Sequence, residues 1–343
     1  MSNDIILDVK NLNVTMVSDR TKVRIVKDVS LQLQRGKTLA LVGESGCGKS
    51  VTVHSIMRLT PKGTLITSDH VVYRSRKEGT EKLYRLDQMK NNGREIRKIR
   101  GAEISMVFQD PMASLNPVYR VGDQICEGLF EHNPKLKKRD AWEMATNMLR
   151  SLGIPAPEQR MKDYPHQLSG GMKQRVVIAI AMICDPEVLI ADEPTTALDV
   201  TIQAQIMELM KRLQTEMGKS LILITHNMGL VAEMADDVAV MYMGRIVEYG
   251  SITDIFGSPA HPYTKALLRS VPVLGMPKDI ELVNIPGNTP NPADLTEGCE
   301  FADRCAKAMP CCRKGEISSC ELLPGHWVRC MQYVRRREEP CHE

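Results

Sequence analysis

The segment Gly43-Glu44-Ser45-Gly46-Cys47-Gly48-Lys49-Ser50 carries the residue types that hold a chain of phosphates. Its glycines let the backbone turn and approach an anion with no Cβ in the way. Successive N–H groups, and the N-terminus of a following helix, then present partial positive charge. Lys49 can reach the β- and γ-phosphates of a nucleotide, and the Ser50 hydroxyl suits Mg2+. An apolar strand precedes the segment and a helix pattern follows it, which is the context the motif requires. Further on, Val188-Leu189-Ile190-Ala191 reads as a buried strand that ends in Asp192-Glu193. An unpaired buried carboxylate is costly, so two acids there need a use. Asp192 suits the Mg2+ shell, and Glu193 suits a general base acting on the attacking water. Cys47 has two readings: a small residue filling the turn, or a thiol acidified by Lys49 and the helix N-terminus, whose alkylation blocks nucleotide binding.

These residues need a frame of strands and helices. Ile5–Val9 and Val23–Val26 are rich in branched residues, Ser30–Gln34 alternates with period two, and Thr38–Val42 is a buried strand between glycine turns. A helix is expected from about Ser50 to Leu59. Residues 68–100 are polar and rich in Lys and Arg, which reads as a solvated face of a small β subdomain. Residues 117–163 carry helical patterns broken at Asn133-Pro134 and Ile154-Pro155-Ala156-Pro157. Beyond them, helices near 173–184, 201–217 and 228–236 alternate with strands at 188–191 and 221–224. Strands at 238–241 and 245–249 follow. That alternation implies a parallel sheet in an α/β core. After about residue 272 Pro and Gly multiply, and a loop-rich tail is expected.

Composition narrows the classes further. The 343 residues suit about two domains, and 43% hydrophobic with 25% charged residues is ordinary for a soluble globular chain. A net charge of +3 and an aromatic content of 4% offer neither a basic field nor a stacking platform for nucleic acid. No apolar run approaches the roughly 18 residues of a membrane span. The first residues, Met-Ser-Asn-Asp-Ile-Ile-Leu-Asp, lack the basic flank and apolar core of a signal peptide, so a cytoplasmic location is expected. Of ten cysteines, Cys47, Cys126 and Cys184 are scattered, while Cys299, Cys305, Cys311, Cys312, Cys320, Cys330 and Cys341 crowd one end. In a reducing compartment such clustering points to metal binding or redox chemistry.

Together the motifs resemble the ATP-binding cassette family, the ATPase subunits of ABC transporters. The specific mark is Leu168-Ser169-Gly170-Gly171-Met172-Lys173-Gln174-Arg175, which looks like the family's signature. A small turn of this kind at a helix start is a second anion cradle. The resemblance implies a P-loop α/β core, an N-terminal antiparallel β subdomain and an α-helical signature subdomain at about 112–165. It further implies that two cassettes sandwich two ATP molecules, with Ser169, Gly170 and Gly171 of one capping the ATP held by the other. Gln109, in Val107-Phe108-Gln109-Asp110-Pro111, fits the Q-loop that senses Mg2+. Asp199, in Ala197-Leu198-Asp199, fits the D-loop, and His226 fits the switch histidine at the γ-phosphate. Cassettes often stack adenine on an aromatic ahead of the P-loop. No Phe, Trp or Tyr precedes Tyr73, so Met16 or Arg20 is the place to look.

Four segments narrow the resemblance to the oligopeptide/dipeptide importer branch: Gln109–Pro117, Ala191–Thr201, Ser258–Leu268 and Ile285–Pro290. They imply a cassette at 5–257 and a C-terminal extension at 258–343. They imply ATP-driven peptide uptake at the cytoplasmic face of the membrane. The partners would be a second, different ATPase subunit, two permease subunits and, indirectly, an extracytoplasmic solute-binding protein. A nickel complex or haem as the solute is the alternative. A non-transport cassette is less favoured, because the chain has neither a second cassette nor a coiled-coil insert. Members of this branch carry a cysteine pattern in the extension. Cys299, Cys305, Cys312 and Cys330 match it and would hold a [4Fe–4S] cluster, with zinc as the alternative.

Overall fold

The computed structural model describes residues 4–18, 21–77, 79–196, 198–270, 285–295 and 297–334. Arg20, Ala197, Cys341 and the Pro-rich stretch 271–284 lie outside the described residues. The chain folds as two compact units that interleave in sequence. One comprises Met1–Leu7, Leu33–Thr38 and Tyr73–Leu223; the other comprises Asp8–Gln32, Leu39–Val72 and Ile224–Glu343.

In the Tyr73–Leu223 unit, the strand Ile104–Val107 runs parallel to Val188–Asp192, with Ile104 opposite Val188 and Val107 opposite Ala191. Both strands are buried along their whole length, as are the residues of Ser220–Thr225 beside them. Strands covered on both faces read as short apolar runs, which is how 188–191 and 221–224 were expected; Ile104–Val107, interrupted by Ser105, was not. Helices Val121–His132, Lys138–Ser151, Gly170–Met182 and Val200–Thr215 fill the rest. The signature helix begins at Gly170, earlier than the sequence pattern predicts, because Ser169 caps it: its Oγ accepts the Met172 N–H at 3.3 Å.

In the other unit, Asp237–Tyr242 pairs in parallel with the strand Thr38–Val42, setting Val240 opposite Val42. It then turns through Met243 and Gly244, at φ 44° and 85°, into the antiparallel strand Arg245–Ser251. The two short strands predicted at 23–26 and 30–34 are one strand, Lys22–Gln34, interrupted where Asp28 takes φ 50° and its N–H reaches Asn13 Oδ1 at 2.9 Å. The first helix is Lys49–Ile56, shorter than expected, since Arg58 lies in the left-handed region at φ 56°. Among the described residues no helix is long and apolar enough to cross a membrane.

The tail is more ordered than its loop-rich sequence predicts. Its strand His326–Val328 pairs with Arg245–Ser251, placing Val328 opposite Glu248, and the strand Cys320–Leu323 pairs with it in turn. A buried carboxylate fastens this junction. Glu248 accepts the N–H groups of Ala260 at 2.7 Å and His261 at 2.8 Å, and its Oε1 lies 2.9 Å from His326 Nε2. Such a carboxylate is tolerated in the interior only when bonded on this scale. Phe301 of the tail packs edge-on to Tyr242 at 5.2 Å and beside Tyr263 at 5.4 Å, and the two tyrosine rings lie 4.7 Å apart.

His261 explains the Ser258–Leu268 segment. It is 1% exposed, and its Nδ1 accepts the Tyr263 N–H at 3.0 Å, capping the helix Pro262–Arg269 behind a proline in the first turn. Burial, with Arg329 and Lys265 adding repulsion, pushes its pKa from 6.5 down to about 3. The folded chain therefore keeps a neutral imidazole, while the unfolded chain takes up a proton below about pH 6.5. Stability from this group is complete above that pH and falls by about 1.4 kcal/mol per pH unit as the pH drops toward 3. Urea unfolding at pH 7 and pH 5 should show the loss, and a His261→Asn chain, which caps without titrating, should show a shallower slope. Equal slopes in the two chains would remove His261 from the account.

Candidate functional site

The phosphate loop follows directly from strand register. Because Val42 pairs with Val240, Gly43 comes level with Met241, and a Cβ on Gly43 would lie 2.2 Å from the Met241 carbonyl oxygen. Only glycine fits there, at φ 152°. Gly48, at φ 103°, starts the helix that carries Lys49 and Ser50. Lys49 is 5% exposed, and its Nζ donates to the carbonyls of Gly43 at 2.8 Å and Glu44 at 2.9 Å. The ammonium is thereby held against the loop by two of its carbonyls. Ser50 lies half-buried beside it on the same helix, and Ser45 and Gly46 are exposed at the loop tip. His226 is exposed just past the strand Ser220–Thr225, in front of a helix capped by Asn227 Oδ1, which accepts Gly229 N–H at 2.9 Å.

Cys47 departs from one of its two readings. It is 1% exposed, and burial pushes its pKa up, outweighing the Lys49 ammonium whose Nζ lies 3.8 Å from Sγ. The thiol is a filler against Gly43, not an acidified nucleophile.

The other half of the chemistry lies in the Tyr73–Leu223 unit. Val107 is opposite Ala191, so Gln109 and Glu193 both stand two residues past a paired position. They meet: Gln109 Nε2 donates to Glu193 Oε2 at 3.1 Å, and Thr196 Oγ1 donates to the same oxygen at 2.9 Å. Glu193 takes φ 45°, a conformation costing about 1–3 kcal/mol that persists where its surroundings impose it, often at active sites. Asp192, 3% exposed, closes the strand just before it. Gln174 of the signature helix donates to the Pro194 carbonyl at 2.7 Å. Gly171 packs so closely on Ile202 that a Cβ would come within 2.8 Å of its Cγ2, and Asp199 caps the next helix through Ile202 N–H at 2.9 Å. Signature and D-loop are thereby joined at two helix N-termini. Gly170 is exposed at the first of them.

Motifs in this order are those of an ABC cassette, and comparison with known proteins agrees. Residues 26–196 match the ABC transporter family model, and residues 247–312 match that of the oligopeptide/dipeptide transporter C-terminal region. The chain is 47% identical over 334 residues to the dipeptide transport ATP-binding protein DppD of Bacillus subtilis, covering 97% of this chain and 96% of that one. The chain belongs to the ABC ATPase family. It is 46% identical to the oligopeptide transport ATP-binding protein AppD of the same organism, over 97% of this chain and 98% of that one. A solved cassette, cbiO1 of Clostridium perfringens, has a TM-score of 0.58 at 29% identity and covers 74% of this chain and 92% of its own. As an ABC ATPase the chain uses ATP with Mg2+, and it has the α/β cassette fold expected from its sequence.

Sequence reasoning missed three groups around the loop. Glu44 N–H donates to Tyr263 Oη at 2.8 Å. Arg304, from the tail, grips the Glu44 carboxylate with two nitrogens, at 2.6 Å and 2.9 Å. Tyr242 Oη completes the set, 3.3 Å from the same guanidinium. The signals available were a His-Pro pair marking a helix start at Tyr263 and an Arg placed between two cysteines.

Among the described residues, no group of three or more His, Cys, Asp or Glu side chains is arranged to hold a metal ion. The donor chemistry of the four predicted cysteines still has a pattern. Cys312 acts electrostatically on Cys299, Cys305 and Cys330, so the four lie in one neighbourhood. Burial raises the pKa of the Cys299, Cys305 and Cys330 thiols, and the backbone amides of Phe301, Lys307 and Gln332, each two residues on, oppose that rise.

The buried Cys47 yields a measurable outcome. Brief alkylation at pH 7 followed by peptide mass mapping should leave Cys47 unmodified in the folded chain and modified in urea. Rapid labelling of the folded protein there would restore the acidified reading.

Proposed function

We propose that the chain is the ATPase subunit of an importer of dipeptides or oligopeptides. The observation that carries this reading is the union, in one chain, of a cassette with the oligopeptide/dipeptide transporter C-terminal region. The relatives named for dipeptide and oligopeptide transport align over almost all of it and support the same solute class. In this reading residues 5–257 act as the cassette, with 112–165 as its helical part, and 258–343 as the extension. The subunit works at the cytoplasmic face, paired with a second, different cassette beneath two permease subunits that receive solute from an extracytoplasmic binding protein. A cassette solved as a dimer, at 25% identity and a TM-score of 0.59, supports pairing.

Each motif residue then has a role. The backbone of Gly43, Glu44, Ser45, Gly46, Cys47 and Gly48 cradles the phosphates, and Lys49 binds their outer oxygens. Ser50, Asp192 and Gln109 would hold Mg2+, which neutralises charge on the β- and γ-phosphates. Glu193 takes a proton from the attacking water as oxygen bonds to the γ-phosphorus and ADP leaves. Gln109 and Thr196 hold its carboxylate in place. His226 contacts the γ-phosphate, while Ser169, Gly170, Gly171 and Asp199 serve the ATP of the partner cassette. ATP drives the cycle because it binds the closed pair better than the open one.

A groove of about 780 Å3 in the helical part supports a membrane partner. Tyr119, Phe130 and Trp142 line it with Asp123, Glu127 and Glu131. Lys138 also lines it; three aromatic rings beside three acids and one lysine suit a short permease helix that carries basic residues.

The four tail thiols are proposed to hold a [4Fe–4S] cluster. What supports this is their shared neighbourhood, with Cys299 N–H bound to the Cys312 carbonyl at 2.7 Å and Cys312 acting on Cys305 and Cys330. No step of ATP hydrolysis passes through it. Anaerobic purification should give a brown protein containing iron and acid-labile sulfide. A colourless protein with stoichiometric zinc would assign the thiols to zinc instead.

Glu193→Gln is the central test of the ATPase mechanism. The variant should bind ATP and accumulate as a closed pair, while phosphate release falls by about 100-fold or more, the range for loss of a general base. Turnover near the parent rate would take Glu193 out of its role.

A further inference from the structure

Arg304 stands in the short turn Ala302–Arg304, between Cys299 and Cys305. The turn is held by Ala302 N–H on the Cys299 carbonyl at 3.0 Å and by Cys305 N–H on the Ala302 carbonyl at 3.3 Å. The same few residues therefore set the place of two thiols and of one guanidinium. From that turn the Arg304 side chain, 7% exposed, reaches the phosphate loop. Nη1 donates to Glu44 Oε2 at 2.6 Å and to Tyr242 Oη at 3.3 Å, and Nη2 donates to Glu44 Oε1 at 2.9 Å. Nε donates to the Pro286 carbonyl at 2.9 Å, which fixes the plane of the group. A bidentate fork of this kind holds the orientation of a carboxylate as well as its charge.

Glu44 is the residue of the loop that most needs such control. It puts a negative charge into a loop that binds a polyanion, and an uncompensated carboxylate there opposes the ligand. Its backbone is tied as well: the N–H to Tyr263 Oη at 2.8 Å, and the carbonyl to Lys49 Nζ at 2.9 Å. Moving the Glu44 side chain therefore moves a contact of the phosphate-binding lysine. We propose that Arg304 is a positioning residue for ATP binding, acting through Glu44, and that through it the cysteine turn sets the nucleotide affinity of the loop. The inference rests on the ATPase reading and does not depend on which metal, if any, the thiols hold.

The test uses the full-length chain, a fluorescent ATP analogue and a thermal melt of each variant. Arg304→Gln should weaken nucleotide binding about tenfold and raise KM for ATP alike, with kcat at saturating ATP changed less than about threefold. In a Glu44→Gln background, where no carboxylate remains to be neutralised, the same substitution should cost less than about threefold. Arg304→Lys keeps the charge without the fork and should fall between. Cys305→Ser should weaken binding in the parent chain but add nothing in the Arg304→Gln chain. Equal losses in both Glu44 backgrounds, or unchanged affinity in Arg304→Gln, overturn the positioning role; should Arg304→Gln not fold, unchanged affinity in Arg304→Lys does so. A full Cys305→Ser effect in the Arg304→Gln chain overturns the route through the cysteine turn. A parent chain that binds no ATP defeats the ATPase reading itself, whereas a parent that binds as well as every variant defeats only this inference.

Discussion

A loop that offers its amides to a polyanion cannot use those amides to hold itself together. Apart from the Cys47 N–H, which reaches the Glu44 carbonyl at 3.3 Å, the shape of Gly43–Ser50 rests on its carbonyls, its side chains and the surfaces beneath it. The strand behind it presents the Met241 carbonyl so close to Gly43 that no Cβ can enter. Gly244 N–H binds the Cys47 carbonyl at 2.8 Å, and Lys49 binds the carbonyls of Gly43 and Glu44. Tyr263 takes the one amide of Glu44, and Arg304 takes its carboxylate. Each contact leaves the remaining donors available for an anion, which is the arrangement anion-binding loops require.

Much of that external support comes from the C-terminal part of the chain, so the order of the tail is a condition of the site. The chain has few aromatics, yet three of them, Tyr242, Tyr263 and Phe301, are grouped under the loop with centroids 4.7–5.4 Å apart. Such pairs add about 0.5–1.5 kcal/mol each beyond burial. Glu248 complements them as a polar anchor. By accepting bonds from Ala260, His261 and the His326 region, it joins the capped helix that carries Tyr263 to the strand that closes the tail. Removing only one partner would leave a buried charge exposed to the interior, so the junction is held as a set.

The residues proposed to carry the chemistry were legible in the sequence because each belongs to a short segment whose spacing is fixed by local backbone geometry. Gly43–Ser50 can be read from its own turn and helix start, and Asp192-Glu193 from the end of an apolar strand, although the shape of each depends on neighbouring strands. What was not legible depends on distant partners. The two segments at 23–26 and 30–34 join into one strand, Lys22–Gln34, through Asp28, whose amide is taken by Asn13 Oδ1. The tail strands Cys320–Leu323 and His326–Val328 are too short to show a period, and exist because Arg245–Ser251 offers an edge. Cys47 illustrates the same limit electrostatically. Lys49 and the helix start, both visible in sequence, lower its pKa, but burial supplied by residues far along the chain outweighs them.

Strand register is what turns these separate motifs into geometry. In parallel strands the carboxyl ends lie on one edge, and residues just past a paired position come level with each other. Val107 opposite Ala191 brings Gln109 to Glu193, and Val42 opposite Val240 brings Gly43 to Met241. A slip of one residue in either pairing would turn an in-facing side chain outward and separate the partners. The strain at Glu193, with φ at 45°, belongs to the same logic. The strand must end abruptly so that its last acid leaves the sheet, and the hydrogen bonds from Gln109 and Thr196 hold the carboxylate where that turn delivers it. Register thus does for the acid what the Met241 carbonyl does for the glycine: each strand end is shaped by its neighbour, and the residue type found there is the one that shape admits.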